Sequence, residues 1–379
     1  MFNPSGRRGR RVSVVSALVL VAAGAAWAGG SPLAAGAAEP VPECFGMPAT
    51  IIGTAGDDTL TGTAGDDVIV GLEGTDTIDT GEAHGGGTDR VCAGPNALSV
   101  NADGVPRYEE IASQDGFVDG GPGLDRIKIS DAGATQILGG SNPTVVDDRG
   151  RRWPERITVQ YTYNVDIFSG DGPDQVDVGL WGGGSTTAKV DAGAGHDVVT
   201  CSGDFSEACE LYGGSGTGND RLGAGNVFYV KLFGGAGNDV LSSGDAYVES
   251  ELDGGSGNDA LYSEGEAETL RGGPGNDRLS TNSSVRSQGP HILQGGTGDD
   301  VLVGHDAPER FGGSSGSDTV RAGGGADTVW GSYGSDVLSG AGGRDSLYGG
   351  AGRDANYGGP GSDLCRSPSR GTRAHSCQR

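Results

Sequence analysis

The chain of 379 residues contains 76 Gly and 16 Pro, with only 8 Phe, 10 Tyr and 4 Trp available for a core. Globular proteins carry roughly 7% Gly, and each Gly in a helix interior costs about 1 kcal/mol, so this composition disfavours a helical protein and argues against a conventional two-domain enzyme. The net charge of −25 argues against a nucleic-acid partner, because phosphate binding needs a basic surface. Two classes remain: a Gly-rich disordered chain, and a repeat fold with Gly at fixed positions.

The N-terminus has the pattern of an export signal. Four Arg at positions 7 to 11 precede an apolar run from Val12 to Ala26, and Ala26-Trp27-Ala28 fits a cleavage site. The run is shorter than the ~20 residues that a membrane span needs. We therefore expect residues 1–28 to be a signal peptide, with cleavage as late as residue 38 as an alternative. The mature protein is then secreted, extracellular and without a membrane span.

Six cysteines follow the apolar run, at positions Cys44, Cys92, Cys201, Cys209, Cys365 and Cys377. An even number in an exported protein indicates disulfides, and six cysteines allow 15 connectivities. The sequence does not fix the pairs; pairing each cysteine with its neighbour along the chain is our expectation. No CxxC spacing is present, so a thiolate zinc site is not expected.

A nine-residue pattern, Gly-Gly-x-Gly-x-Asp-x-apolar-x, organises most of the chain. Clear copies begin at Gly234, Gly254 and Gly272. The Asp residues recur every nine positions near both ends, with Glu309 filling one place in the C-terminal register, whereas in the middle each loop Asp follows the previous one by a double repeat. Nine residues form half a coil, a six-residue loop followed by a three-residue strand whose apolar residue points inward. Asp residues 18 apart then lie on the same side of adjacent coils, where a hard cation would relieve their repulsion.

This nonapeptide is the calcium-binding repeat of RTX proteins, and residues 53–366 resemble the hemolysin-type calcium-binding repeat family. The resemblance implies an all-β fold, a parallel β-roll or β-solenoid of stacked 18- to 23-residue turns. It also implies about ten Ca²⁺ ions between successive loops, held by Asp carboxylates and loop carbonyls. The candidate metal ligands are Asp58, Asp67, Asp76, Asp125, Asp174, Asp197, Asp220, Asp239, Asp259, Asp277, Asp300, Asp318, Asp327, Asp336, Asp345, Asp354 and Asp363.

The repeat register divides the mature chain into four segments. We expect N-terminal repeats over 44–141, an irregular insertion or elaborated coil over 142–168, and the main roll over 169–365. The basic tail, 366–379, is expected to be a cap closed by a disulfide, since a solenoid needs an atypical last unit.

Catalytic motifs are missing from the repeats, and we predict a monomeric calcium-binding structural or interaction module that is not an enzyme. No His-Glu-x-x-His motif occurs, and the Gly-x-Ser-x-Gly string at 312–316 lies inside the repeat register. Two alternatives stay open. One is an enzyme acting on an extracellular polysaccharide, with candidate residues Arg152, Glu155, Tyr161, Tyr163 and Asp166. The other is an adhesin that binds cell-surface or extracellular polymers through a flat solenoid face.

Overall fold

The computed structural model describes residues 40–80, 88–94, 109–113, 116–121, 125–130, 134–139, 154–162, 164–180, 186–204, 206–244, 246, 250–265, 268–282, 290–366 and 373–377. Residues Val41–Arg379 form one compact unit, and residues 1–39 are not among those described. The expected signal peptide therefore lies outside the described residues. In the part of the chain that is described, no helix is long and apolar enough to cross a membrane.

The described residues of Val41–Arg379 form a parallel β-solenoid with two 16-stranded sheets, here called face A and face B. The chain alternates between the faces, so each coil contributes one strand to each sheet. The strands of face A are Thr59–Thr61, Thr77–Asp79, Glu109–Ser113, Asp125–Ser130, Glu155–Thr162, Asp174–Leu180, Val198–Ser202, Arg221–Gly225, Val240–Ser243, Ala260–Ser263, Arg278–Thr281, Val301–Val303, Thr319–Arg321, Val337–Ser339, Ala355–Tyr357 and Arg373–His375.

Face B is also a parallel sheet, and its strands follow one another along the solenoid in chain order. Its strands are Ile51–Ile52, Val68–Val70, Asp89–Cys92, Gly116–Asp119, Ala134–Leu138, Asn164–Phe168, Thr187–Asp191, Ala208–Tyr212, Tyr229–Ala236, Ser250–Ser256, Glu268–Pro274, Ile292–Thr297, Arg310–Ser315, Thr328–Tyr333, Ser346–Ala351 and Leu364–Arg366. Two small pairs lie outside these sheets: Glu43–Cys44 with Met47–Pro48, and Gly324–Gly325 with Gly342–Gly343. The predicted all-β parallel solenoid is confirmed.

The core is a narrow column of aliphatic side chains between the two faces. In the C-terminal coils a three-residue strand buries one residue, as Leu302 and Leu338 show. In the central coils the strands are longer and bury two or three, such as Val176, Val178 and Leu180. Alternation of side chains along a strand explains this difference, because two extra residues add one more inward position. The central coils are therefore wider and have a larger apolar core.

Residues 155–168, part of the segment expected to be an irregular insertion or elaborated coil, supply two ordinary strands of the solenoid. Glu155–Thr162 pairs in parallel with the face A strands on both sides, with an irregularity in register at Gln160 to Thr162. Asn164–Phe168 pairs in the same way on face B. Residues 140–153 lie outside the described residues, so the segment boundaries expected from the sequence remain predictions.

Three disulfides connect cysteines that are neighbours along the chain. The pairs are Cys44–Cys92, Cys201–Cys209 and Cys365–Cys377, as expected from local pairing. The first ties the N-terminal hairpin to face B, the second joins the two faces of one wide coil, and the third ties residues 373–377 to the last described face B strand.

Candidate metal centre

The acidic residues of the turns form two rows, one at each edge of the solenoid. Row A occupies the position at or directly before the start of each face A strand, and in-register pairing places its members on adjacent coils. Row A consists of Asp58, Asp76, Glu109, Asp125, Glu155, Asp174, Asp197, Asp220, Asp239, Asp259, Asp277, Asp300, Asp318, Asp336 and Asp354. It contains no non-acidic residue over this length.

Row B occupies the equivalent position before the face B strands, and apart from Glu268 its acids lie near the two ends. Its members are Asp67 and Asp89 in the first coils, and Glu309, Asp327, Asp345 and Asp363 in the last coils. Pairing along face B places the following residues at the row B position in between: Gly116, Thr135, Val165, Ala188, Cys209, Val230, Ser250, Glu268 and His291. The central coils thus have one predominantly acidic edge, which agrees with the expectation from the sequence.

Most of the row carboxylates are held by the coil before them. Oδ1 of Asp259 accepts a hydrogen bond of 2.8 Å from the backbone N–H of Asp239. Bonds of the same kind, 2.8 to 3.4 Å long, recur along row A and along both acidic parts of row B. Hydrogen bonds to a carboxylate fix its orientation, so the second oxygen of each group points in a defined direction.

That second oxygen is buried and has no hydrogen-bond partner among the described residues at many row positions. These are Oδ2 of Asp76, Asp197, Asp239, Asp259, Asp277, Asp300, Asp318, Asp327, Asp336, Asp345 and Asp363. A buried carboxylate oxygen without a partner is strongly unfavourable, unless a proton or a cation binds it. The repetition of this arrangement along the solenoid indicates a row of cation sites.

A space above the first glycine of each loop is bordered by oxygen atoms. A Cβ built on Gly234 would lie 2.6 Å from Oδ2 of Asp239 and 2.4 Å from the carbonyl oxygen of Gly254 on the next coil. Gly213 has the same surroundings, with Oδ2 of Asp220 at 2.6 Å. A side chain here would fill the space between a carboxylate and a carbonyl oxygen. Glycine therefore keeps open a cradle lined by two of the oxygen types that calcium binds.

The third glycine of the loop is required by backbone conformation and by close approach of the coils. Gly257 has φ +132°, and a Cβ on it would lie 1.4 Å from the carbonyl oxygen of Gly237. Only glycine adopts this conformation without strain. The glycine pattern in the sequence thus has a direct structural cause in the turns that carry the acids.

Burial raises the pKa of many row carboxyl groups, and at several of them the charges of neighbouring row members raise it further. The pKa of Asp197 rises to about 8 through desolvation and then through the charges of Asp174 and Asp220. The pKa of Asp259 rises to about 7 for the same reasons, with Asp239 as the largest charge contribution. Ionised rows are therefore unfavourable without a compensating charge, and bound cations would supply that charge.

The donor set favours calcium over zinc and magnesium. Among the described residues there is no group of three or more Asp, Glu, His or Cys side chains close enough to hold an ion. An ion in the rows must therefore complete its coordination with backbone carbonyl oxygens. Calcium accepts six to eight oxygen ligands in flexible geometry, whereas zinc prefers nitrogen and sulfur, and magnesium requires a tight octahedron.

A second ladder lies beside row A on its exposed side. In this ladder, the residue directly before a row A acid donates its backbone N–H to the side-chain Oδ1 of the equivalent residue one coil earlier, at 2.6 to 2.8 Å. The acceptors are Asn219, Asn238, Asn258, Asn276 and Asp299. This ladder connects the same coils as row A by hydrogen bonds that do not depend on a metal.

All of the Asp residues proposed as ligands from the sequence lie in row A or row B, but the rows contain acids that the sequence reasoning did not select. Glu109 and Glu155 belong to row A, and Asp89 belongs to row B. A weak signal exists for Asp89, which follows Gly85-Gly86-Gly87 and stands one double repeat after Asp67. Glu309, recognised only as filling the register, is a member of row B.

Glu155 is fully buried. Both side-chain oxygens are buried, and Oε2 lies 2.5 Å from a Cβ built on Gly139. Burial, followed by the charges of Asp125 and Asp174, raises its pKa to about 12. Glu155 therefore takes the place of the loop Asp, although residues 140–154 separate it from the first glycine of its loop.

The alternative catalytic residues do not assemble into a site among the described side chains. Glu155 is buried in row A, whereas Asp166 is exposed on the outer surface of face B. Arg152, Tyr163 and the side chain of Tyr161 lie outside the described residues. The two described carboxylates belong to opposite parts of the coil, which argues against a shared catalytic role.

These features define a class: parallel β-solenoid proteins whose turns present stacked carboxylates and glycine carbonyls. The profile of the RTX calcium-binding nonapeptide repeat (4 copies) matches residues 50–84, 229–246, 251–279, 292–307, 312–347 and 330–365. The chain therefore carries RTX calcium-binding nonapeptide repeats in several copies along its length. No curated protein is similar to the chain in a sequence search. The unmatched stretch from 85 to 228 contains wide coils and most of the non-acidic part of row B.

Proposed function

We propose that this protein is an extracellular calcium-binding solenoid in which calcium binding and folding are coupled. The observation that carries this proposal is the row of buried Oδ2 atoms without a partner, illustrated by Asp259 and Asp277. Calcium bound at these atoms would supply the missing electrostatic partner. Because unfolded loops cannot form the rows, the binding free energy becomes folding free energy.

Row A is the main binding element in this proposal, and the acidic parts of row B are secondary elements. About ten Ca²⁺ ions, each between acids of adjacent coils, would offset most of the negative charge of the chain. The affinity should suit calcium outside cells, where such modules work at roughly 10⁻⁴ to 10⁻³ M. The protein acts as a monomeric structural or interaction module, and its rows have no catalytic role.

The decisive experiment is far-UV circular dichroism of the mature chain, stripped of metal and titrated with calcium, with magnesium as the control. A cooperative increase in β signal with calcium alone is expected. A β spectrum and thermal unfolding that do not respond to calcium would contradict the proposal. Native mass spectrometry of the calcium-loaded chain then counts the ions, and a count of two or fewer would exclude binding along row A.

Secretion needs a separate test, because it depends on the N-terminus. N-terminal sequencing of the protein recovered from culture medium is expected to show a start at residue 29, or as late as residue 39. Recovery of the intact chain from cell extract alone would contradict export. This result leaves the calcium experiment unaffected.

A further inference from the structure

A shallow groove with a volume of about 280 Å³ crosses three adjacent face A strands, Glu155–Thr162, Asp174–Leu180 and Val198–Ser202. It lies on the outer surface of the wide coils, away from both acid rows. Its polar lining consists of Thr158, Gln160, Asp177, Thr200 and Ser202, with Gly179 between Gln160 and Ser202. The irregular pairing of Glu155–Thr162 with the next strand occurs beside this groove, as bulges often do next to binding sites.

Asp177 is fixed at the centre of the groove. Its Oδ1 accepts a hydrogen bond of 2.5 Å from Thr200 Oγ1, and its Oδ2 accepts one of 3.0 Å from Gln175 Nε2. The side chain is only half-buried, so further donors can reach it. The groove therefore offers an oriented carboxylate together with hydroxyl and amide groups that both donate and accept.

Two glycines continue the groove onto the next coil. Gly223 pairs with Thr200, and Gly225 pairs with Ser202. A Cβ on either glycine would meet no atom within 4 Å, and neither has positive φ. Neither packing nor backbone conformation therefore requires glycine here, although glycine weakens a strand. Such a glycine marks a surface where a ligand approaches the backbone closely.

The surroundings of the groove are basic in a strongly acidic protein. From Asp125 to Gly225, the outward positions of the face A strands carry four exposed cations: Arg126, Lys128, Arg156 and Arg221. Among the outward positions described in this part of face A, Asp177 is the only acid. The chain has a net charge of −25, but much of its negative charge lies in the rows at the edges. The surface beside the groove thus attracts anions locally.

We propose that this groove binds an acidic polysaccharide. The hydroxyl, amide and Asp177 groups would hydrogen-bond sugar hydroxyls, and Arg156 and Lys128 would pair with uronate carboxylates. Strands about 4.8 Å apart make the groove, with its extension over Gly223, about 15 Å long. This length suits several consecutive sugars of an extended chain.

A nucleic acid fits this surface less well, although it is also a polyanion. The carboxylate of Asp177 at the centre can accept hydrogen bonds from sugar hydroxyls, whereas the phosphodiester backbone of DNA offers it no donor. Among the side chains described on these face A strands there is no aromatic ring on which a base could stack, and stacking supplies much of the affinity for single strands. A single-stranded oligonucleotide is therefore the appropriate competing probe.

The test is isothermal titration calorimetry of the calcium-loaded full chain with a hyaluronan octasaccharide, at constant free calcium. Neutral maltooctaose and a single-stranded DNA dodecamer are the comparison probes. We expect the hyaluronan fragment to bind at least tenfold more tightly than either. The Arg156→Glu and Ser202→Trp variants, which reverse a charge and fill the groove, should each weaken binding at least tenfold.

Matched controls lie on the same face but outside the groove. Arg321→Glu and Ser339→Trp should change the affinity less than twofold, because both positions are several coils away. The proposal is overturned if wild type fails to bind hyaluronan, if all four variants weaken binding equally, or if maltooctaose or DNA binds as tightly. Circular dichroism of each variant verifies that the solenoid is intact, and none of these outcomes bears on calcium binding.

Discussion

Replacing Asp259 by Asn should change stability in opposite directions with and without calcium. The substitution keeps an oxygen that can accept the 2.8 Å bond from the backbone N–H of Asp239. It removes the negative charge and replaces the buried Oδ2, which has no partner among the described residues, by an amide nitrogen. The variant therefore isolates the charge and the ligand oxygen from the hydrogen-bond ladder.

Without calcium the substitution should stabilise the fold at pH 8. The pKa of Asp259 rises from 3.8 in the unfolded chain to about 7 in the fold. At about 1.4 kcal/mol per pKa unit, keeping this group ionised in the fold costs at most about 4 kcal/mol. Solvent screening lowers the cost, and we expect a gain of about 2 kcal/mol for Asp259→Asn.

With saturating calcium the same substitution should destabilise the fold. We call the space between two adjacent acids of row A a gap. Asp259 borders two such gaps, one toward Asp239 and one toward Asp277. A tenfold loss of calcium affinity at one site weakens the binding free energy by about 1.4 kcal/mol. When calcium greatly exceeds Kd, the free energy of unfolding falls by the same amount. Loss at both gaps predicts a destabilisation of about 3 kcal/mol.

Urea unfolding at pH 8, in metal-free buffer and in calcium at about 100 times Kd, measures both effects. Asp299→Asn is the matched control, because Asp299 is exposed and lies beside row A. It belongs to the second hydrogen-bond ladder, in which Asn276 holds the equivalent place on the coil before it. The control should shift the free energy of unfolding by less than about 0.5 kcal/mol in either buffer. A shift of the same sign in both buffers for Asp259→Asn, or no shift, would refute the assignment of row A as the calcium site.

The rows lead to three more predictions. In the metal-free chain, carboxyl pKa values are raised, to about 8 for Asp197. The contribution of these groups to the free energy of unfolding is therefore fully present below pH ~4 and is lost as pH rises toward 8. Urea unfolding midpoints measured between pH 4 and 8 test this, and a midpoint that rises with pH contradicts it. Glu155→Gln should stabilise the metal-free fold at pH 7, because a pKa of about 12 means that Glu155 must take up a proton on folding and Gln removes that cost. It should also lower the ion count of the loaded chain by at least one in native mass spectrometry, and an unchanged count excludes Glu155 as a ligand. Gly257→Ala should destabilise the chain by about 4 kcal/mol or more, because its Cβ would lie 1.4 Å from a carbonyl oxygen of Gly237; a thermal midpoint within about 2 °C of wild type would contradict the close packing of the loops.

The repeat fold and most of row A could be predicted from the sequence because their cause is local. A nine-residue half-coil forces Gly, Asp and one inward apolar residue into fixed spacing, so Asp300 and Asp318 reveal their shared edge by their separation alone. The interruption of row B was also visible, since the register places Val230 and His291 where an acid would stand. Periodicity of this kind needs no knowledge of distant contacts.

Other features depend on contacts that spacing does not encode. Glu155 joins row A only because the strand that it begins returns to the register, although residues 140–154 separate it from Gly139. The cysteine pairs follow from which coil edges meet, and 15 connectivities fit the sequence equally well. The groove depends on outward positions, where Gly223 and Asp177 follow no repeat and become neighbours of Thr200 only through strand pairing.

Row A runs from Asp58 to Asp354 without a break, and each inner member has an acid as its neighbour on both sides. An ion in one gap fixes a carboxylate that the next ion also needs, so neighbouring gaps are coupled as in a one-dimensional array. Filling of row A should therefore be cooperative, with most ions bound over a narrow range of calcium concentration. The two acidic parts of row B are short and separated by the stretch from Gly116 to His291, so they should fill with less steep curves. Row A would thus fill sharply above a threshold concentration of external calcium, whereas row B would fill gradually.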